Sequence, residues 1–324
     1  MSCGVLLPYR RVVRVLVALG GNAMTAADGR ARPEDQIAAI GAAMEPVAEL
    51  IAAGHDVVLT HGNGPQVGNL LVKNEVSASV VPPVPLDWCD ASTQATIGFT
   101  VLNTLEPALA RRGLRRPAAA LVCRTLVDAD DPGFTHPTKP VGRYLSRDDA
   151  QAMIDHGETW EDRGEKGWRR VVASPEPREI LDAEAVHALV AAGFVVVTSG
   201  GGGIPCVRDA DGSVRGVEAV IDKDLSAALL GRALDADVLV IATDVESVVL
   251  GWGTPDAQPL GEATPEQMRE LAAEGHFASG SMGPKVEAVT RFVENGGRRA
   301  VICSLAAIAA AAEGKAGTVV RAGD

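Results

Sequence analysis

Five short runs rich in Val, Ile and Leu, each stopping at glycine or small polar residues, constrain this chain more than any other feature. They are Val12 to Leu19 before Gly20-Gly21-Asn22, Asp56 to Thr60 before His61-Gly62-Asn63-Gly64, and Phe194 to Thr198 before Ser199-Gly200-Gly201-Gly202-Gly203. Asp237 to Ala242 before Thr243-Asp244 and Arg299 to Ile302 before Cys303-Ser304 complete the set. Continuous apolar runs of this length suit strands covered on both faces, as in a parallel sheet between helices. Apolar-periodic helices lie before three of these runs, and each stops at glycine: Ile37 to Ala53 at Gly54, Ala183 to Ala192 at Gly193, and Val286 to Glu294 at Gly296-Gly297. A glycine just past a helix takes the left-handed conformation that turns the chain into the next strand. The repeat predicts a wound α/β fold, a sheet sandwiched between two helix layers.

One segment breaks the rhythm. From Val127 to Arg170 the chain is polar, holds Pro132, Pro137 and Pro140, and has no apolar run ending in glycine. It reads as a small excursion from the sheet, with Trp160 and Trp168 as its own minor core. Ala306 to Ala312 reads as a packing helix.

In open parallel sheets ligands sit at the carboxyl ends of the strands, which is where the glycine loops fall. Gly20-Gly21-Asn22 and His61-Gly62-Asn63-Gly64 allow backbone N–H groups to approach an anion closely. The four successive glycines Gly200 to Gly203 carry a heavy backbone entropy cost and imply close approach of something to the main chain. No loop has Walker spacing, and no G-x-G-x-x-G opens the first helix. Gly280-Ser281-Met282-Gly283-Pro284-Lys285 leads into the helix Val286 to Glu294 and puts Lys285 where the macrodipole is positive, a placement that favours an added anion. Asp222-Lys223-Asp224 follows apolar Ala219-Val220-Ile221 and precedes the helix Leu225 to Leu234. Either Asp224 caps that helix with Lys223 at the surface, or the two carboxylates orient the ammonium group. Lys139 stands between two prolines in Pro137-Thr138-Lys139-Pro140. Glycine loops with special lysines describe phosphoryl transfer, which needs positioning and positive charge around the moving group.

Composition excludes other classes. With 42 acidic against 30 basic residues, net charge −12 and no long basic run, the chain lacks the stripe that a nucleic-acid binder uses. The first apolar run is broken by Arg14 and is too short to span a membrane. Cys3, Cys89, Cys123, Cys206 and Cys303 include no C-x-x-C, which points to free thiols and a cytoplasmic setting. No histidine has a partner at metal-ligand spacing, so no metal ligands are expected; His61 is placed in the loop pocket and the others in surface or packing roles.

Eight ordered motifs carry a resemblance. Gly20 to Met24 reads GGNAM, Thr60 to Gly68 THGNGPQVG, Pro85 to Phe99 PLDWCDASTQATIGF, and Pro137 to Gly142 PTKPVG. Val171 to Pro177 reads VVASPEP, Ser199 to Pro205 SGGGGIP, Gly216 to Leu230 GVEAVIDKDLSAALL, and His276 to Ala288 HFASGSMGPKVEA. From about Val15 to Val320 the chain resembles the carbamate kinases of the amino acid kinase superfamily.

The resemblance implies a three-layer αβα sandwich with a mostly parallel sheet. It implies an N-terminal lobe for the carbamoyl substrate, residues 12–215, with a protruding subdomain at about 127–170, and a nucleotide lobe, residues 216–324. It also implies a homodimer, a setting in arginine metabolism, ADP or ATP as substrate, Mg²⁺ carried with the nucleotide, and reversible phosphoryl transfer between carbamoyl phosphate and ADP. Lys223 and Lys285 would contact phosphates, Asp224 would orient them, and Lys139 would reach in from the subdomain. Gly20, Gly21, Asn22, Gly62, Asn63, Gly64, Gly201, Gly202 and Gly203 would surround the transferred group. Thr243, Asp244, Val245, Ser281, Met282 and Lys285 would meet the nucleotide.

The chain departs from the family pattern in places. Thr243 to Leu250 reads TDVESVVL where TDVDGVYL is usual, Asp90-Ala91-Ser92 replaces the commoner Gly-Ala-Met, and Cys123-Arg124-Thr125 replaces a run with glutamine. Two other readings therefore stay open: a related kinase acting on another small carboxylate or carbamoyl compound, and a catalytically silent nucleotide-binding sensor.

Overall fold

The computed structural model describes residues 12–25, 32–155, 157–277 and 282–323. Its main sheet contains β1 (Arg14–Leu19), β2 (Asp56–His61), β3 (Ala118–Ala120), β4 (Val195–Val197), β5 (Val238–Thr243), β6 (Glu262–Ala263), β7 (Arg299–Ser304) and β8 (Thr318–Val320). The order is β6-β8-β7-β5-β1-β2-β4-β3. The strands foreseen from the apolar runs, β7, β5, β1, β2 and β4, are consecutive neighbours and all parallel. Only the β7–β8 pairing is antiparallel. Residues before 216 supply β1, β2, β4 and β3 as one contiguous half of the sheet, and those after it supply the rest.

Unbroken apolar runs are explained by a core on each face. Successive residues of a strand point to opposite sides. Thus Val15, Val17, Leu59 and Val240 join the helices Pro33–Ala52 and Leu86–Ala110 on one side. Leu16, Ala18, Val58, Leu239 and Ile241 join the helices Lys223–Ala233 and Met282–Glu294 on the other. The helices end as their glycines predict. Gly54, Gly193 and Gly296 have φ of +86°, +86° and +95°. After each, the next amide closes the helix end, as with His55 N to Leu50 O at 3.3 Å and Phe194 N to Leu189 O at 3.0 Å.

Three boundaries differ from the sequence reading. The first helix begins at Pro33, because proline is well suited to a first helical position. The last long helix begins at Met282, so Pro284 and Lys285 both lie in its first turn. The helix after Ile221 is capped by Asp222 rather than Asp224: Asp222 Oδ1 accepts from Asp224 N at 2.9 Å and Leu225 N at 3.3 Å.

The irregular segment contains an antiparallel sheet of Lys139–Leu145, Trp168–Val172 and Trp160–Asp162, with the helix Arg147–Asp155 between strands. Val127 instead ends a strand, Arg124–Val127, of a four-stranded mixed sheet with Pro177–Ile180, Ile204–Arg208 and Val214–Gly216. The expected tryptophan core is replaced by a different anchor. Val141 and Val172 pack against Val67, Leu71 and Leu86 of the main body. Trp160 is buried and donates through Nε1 to Glu158 Oε2 at 2.8 Å, while Trp168 is half-buried. Cys89, Cys123, Cys206 and Cys303 are buried free thiols; Cys3 lies outside the described residues. No described helix is long and apolar enough to cross a membrane.

Candidate active site

The carboxyl ends of β1, β2 and β5 open into a cleft of about 1190 Å³. Gly20 and Gly21 follow β1, Gly62, Asn63 and Gly64 follow β2, and Thr243 and Asp244 close β5; all line the cleft. Gly201 lines it beyond β4. Lys139 reaches it from the subdomain strand Lys139–Leu145, Lys223 and Asp224 from the first turn of their helix, and Lys285 from the first turn of another. Residues spread over most of the chain thus face one space.

The lysines are held by two carboxylates. Asp224 is 2% exposed, bonds Lys223 Nζ through Oδ1, and meets Lys285 Nζ through Oδ2 at 3.2 Å. Lys139 Nζ meets Asp222 Oδ2 at 2.8 Å. Three ammonium groups therefore stand beside two carboxylates, which leaves room for an anion. Burial pushes the Lys223 ammonium below the ordinary lysine range, and Lys285 adds to this against the opposing pull of Asp224. For Asp222 burial acts upward, but the neighbouring Lys139 ammonium and the helix amide bring the carboxyl below its usual range. The Asp-Lys-Asp triplet thus performs both suggested roles, with capping assigned to Asp222 and lysine orientation to both carboxylates.

The glycine loops serve the cage directly. A Cβ on Gly62 would lie 3.2 Å from Lys223 Cδ, so its absence lets that lysine pass to the cleft. At Gly201, which has φ +68°, a Cβ would stand 2.0 Å from Asn63 Oδ1. The remaining close approaches are to protein atoms, main-chain as well as side-chain. A Cβ at Gly200 would strike the His61 ring, at Gly202 Ile221, and at Gly203 Thr125 Oγ1. Thr125 and Ser226 hydroxyls both donate to Gly202 O at 2.8 Å, which pins the loop.

Some foreseen residues stand elsewhere. Gly202 and Gly203 are buried behind the cleft wall, and Val245 is half-buried outside the lining. Met282 packs against the core on the helix side of the sheet. Asn22 lies in the short turn Gly21–Met24. Ser281, and Gly280 beside it, lie outside the described residues, as does His156. His61 is not in the pocket: it is 2% exposed beneath Gly200, and burial lowers its pKa to about 4, with Gly62 O opposing and Lys223 reinforcing.

From the sequence, Asp222 is foreseen only as a partner of Lys223, and the subdomain arginines are left out. Asp222 carries the Lys139 contact, and Arg143, Arg163 and Arg169 project into the cleft from the subdomain. The prolines around Lys139 drew attention to that lysine, but isolated arginines in a polar segment carry no signal of their own. Buried Asp90 accepts from Asn63 Nδ2 at 2.8 Å, and its unusual sequence context was the only pointer to it.

A wound αβα sheet with caged lysines at its carboxyl edge is the architecture of a phosphotransferase of the amino acid kinase type. The chain belongs to the amino acid kinase family, whose model matches residues 13–304. It is 42% identical over 312 residues to the carbamate kinase of Pyrococcus furiosus, covering 95% of this chain and 98% of that one. It is 44% identical to the carbamate kinase-like protein YahI of Escherichia coli, covering 94% and 97%. A crystal structure from Aeropyrum pernix superposes with a TM-score of 0.92 at 41% identity, covering 96% of this chain and 100% of that one. The carbamate kinase of Giardia lamblia bound to AMP-PNP superposes with a TM-score of 0.90 at 37% identity, covering 96% and 99%.

Proposed function

We propose that the protein is a carbamate kinase, catalysing ATP + carbamate = ADP + carbamoyl phosphate in either direction. The observation that carries this reading is the pair Lys223 and Lys285 on one buried carboxylate, in the cleft that Lys139 also enters. A phosphoryl group passing between two anions needs positive charge fixed before the reaction begins. Asp224 supplies that fixation, and the bare loops add N–H donors. Carbamate is already anionic, so no general base is required, and His61 is buried and neutral near pH 7.

Within this reading residues 12–215 hold the carbamoyl end and residues 216–324 the nucleotide, with the two lobes meeting at the β1–β5 seam. Thr243 and Asp244 are assigned to the nucleotide side, and the Gly20 and Gly62 loops to the transferred group. Asp222 and Asp224 are engaged by ammonium groups, and no cluster of three or more possible metal ligands occurs among the described residues. Mg²⁺ would accordingly be carried by nucleotide phosphates, where it neutralises charge. Free buried thiols support a reducing, cytoplasmic setting. Partners are small molecules rather than nucleic acid, and arginine metabolism is the setting the relatives' chemistry suggests.

A homodimer is supported by the outer face of the helix Leu86–Ala110. Trp88 and Phe99 are 63% and 65% exposed there, and the hydroxyls of Ser92, Thr96 and Thr100 each bond the carbonyl four residues back. With these hydroxyl protons turned back onto the helix, the exposed rings dominate a face that suits a second copy. Light scattering should give twice the chain mass, and Trp88→Glu with Phe99→Glu should halve it; a monomeric wild type would refute the assignment.

Formation of ATP from ADP and carbamoyl phosphate in a coupled assay tests the activity. The unusual Asp90 behind Asn63 favours one rival, a related kinase acting on another small acid. It predicts poor turnover of carbamoyl phosphate and ATP consumption with some other member of a carboxylate panel.

A further inference from the structure

Asp90 sits on the helix Leu86–Ala110 at 2% exposure, with Oδ1 accepting from Asn63 Nδ2 at 2.8 Å. Asn63 lines the cleft, and its amide packs against Gly201, where a Cβ would stand 2.0 Å from Oδ1. Yet Asn63 Oδ1 is buried and has no hydrogen-bond donor among the described residues. A buried amide oxygen without a donor is costly enough that native structures rarely leave one. An ionised carboxylate offers it nothing, because it only accepts. A neutral carboxylic acid both donates and accepts, and the amide of asparagine is its complement.

We propose that Asp90 is a positioning residue held as the neutral acid, pairing with Asn63 through two hydrogen bonds and thereby fixing the Gly62-Asn63-Gly64 loop against the acceptor end of the cleft. One bond is the observed Nδ2–H to Oδ1 contact. The other runs from the Asp90 O–H to Asn63 Oδ1. The environment agrees: burial pushes the Asp90 carboxyl well above its ordinary range, Asp87 adds to this, and the Asn63 contact only partly opposes it. Asp87, on the same helix, is the charged group that acts on Asp90; from the facing loop it meets the neutral amide of Asn63.

The pairing stands apart from the proposed activity, whereas its effect on substrate rests on that reading. Two variants and two measurements separate them. The difference infrared spectrum of wild type minus Asp90→Asn at pH 7 should contain a protonated-carboxyl C=O band. In kinetics, Asp90→Asn can still accept and donate, so the KM for carbamoyl phosphate should stay within about twofold of wild type. Asp90→Leu can do neither, and the KM should rise about tenfold while the KM for ADP holds. As pH rises and Asp90 ionises, the wild-type KM for carbamoyl phosphate should climb, and that of Asp90→Asn should not.

A missing infrared band overturns the proposal. So does an Asp90→Asn enzyme as impaired as Asp90→Leu, or one with the same alkaline rise as wild type. Should Asp90→Leu fail to fold, the band and the pH profile of Asp90→Asn decide alone. If carbamoyl phosphate is not turned over at all, the functional reading fails and the band still decides the Asp90 pairing.

Discussion

Lys139 Nζ stands 2.8 Å from Asp222 Oδ2, and this contact ties the subdomain strand Lys139–Leu145 to the N-cap of the helix that bears Lys223. The two oxygens of Asp222 divide the work: Oδ2 takes the ammonium group and Oδ1 takes the helix amides. Positioning of the subdomain lysine and of the helix start is therefore one arrangement.

Substitution at Asp222 separates the duties. Asparagine caps a helix about as well as aspartate, whereas alanine does not. Asp222→Ala should lower the unfolding free energy by about 1 kcal/mol more than Asp222→Asn in urea denaturation. Both should lose the ion pair with Lys139. Equal stabilities for the two variants would remove the capping role.

Asp224 neutralises two nearly buried ammonium groups, so its loss should affect stability and rate together. Asp224→Asn should cost about 3 kcal/mol or more, the scale for breaking a buried pair and stranding its partner. Lys223→Ala and Lys285→Ala should each lower kcat by about a hundredfold or more, the scale for losing a preorganised donor. Steady-state kinetics with carbamoyl phosphate and ADP measures this, and near-normal rates in both lysine variants would refute their roles.

Much of the sheet was legible because burial on both faces leaves an unmistakable mark: Leu16 and Val17 are adjacent and both 0% exposed. Glycine-ended helices were legible for a similarly local reason. The subdomain strands were not, since Lys139–Leu145 buries little beyond Val141 and its sequence stays polar. At Asp222-Lys223-Asp224 one triplet is compatible with either aspartate as cap, and only the path of the backbone decides. Pro284 hid the helix start at Met282, since proline is tolerated within a first turn. The motifs drew attention to three lysines, which line one cleft, but the Lys139–Asp222 bond spans 83 residues and is a product of the fold.

The lowered pKa of Lys223 has a sign that can be measured. Its ammonium form is the useful one, so wild-type kcat should fall as pH rises toward that lowered value, earlier than an exposed lysine would require. Arginine keeps its charge throughout this range. Lys223→Arg should therefore show a lower kcat but a flatter alkaline profile. An identical alkaline limb in both enzymes would assign it to another group.

His61 should contribute to acid stability. Its folded pKa of about 4 lies below the ordinary imidazole value of about 6.5, so the unfolded chain binds the extra proton first as pH falls. Stability is thus complete above the unfolded value and is lost through the interval down to the folded one, by about 3 kcal/mol. Denaturant titrations between pH 7 and about 4 should show that this share of the loss is absent in His61→Gln. Parallel pH curves for the two proteins would contradict a neutral buried imidazole.

On the proposed function, Lys139, Lys223 and Lys285 form a prepared cage for a phosphoryl group moving between carbamate and ADP. The most direct measurement is initial-rate ATP formation from ADP and carbamoyl phosphate by the wild type and by Lys285→Ala. Ready turnover by the wild type is expected, with a loss of about a hundredfold or more in the variant. Wild-type protein that forms no ATP, or a variant that forms it as fast, would contradict it.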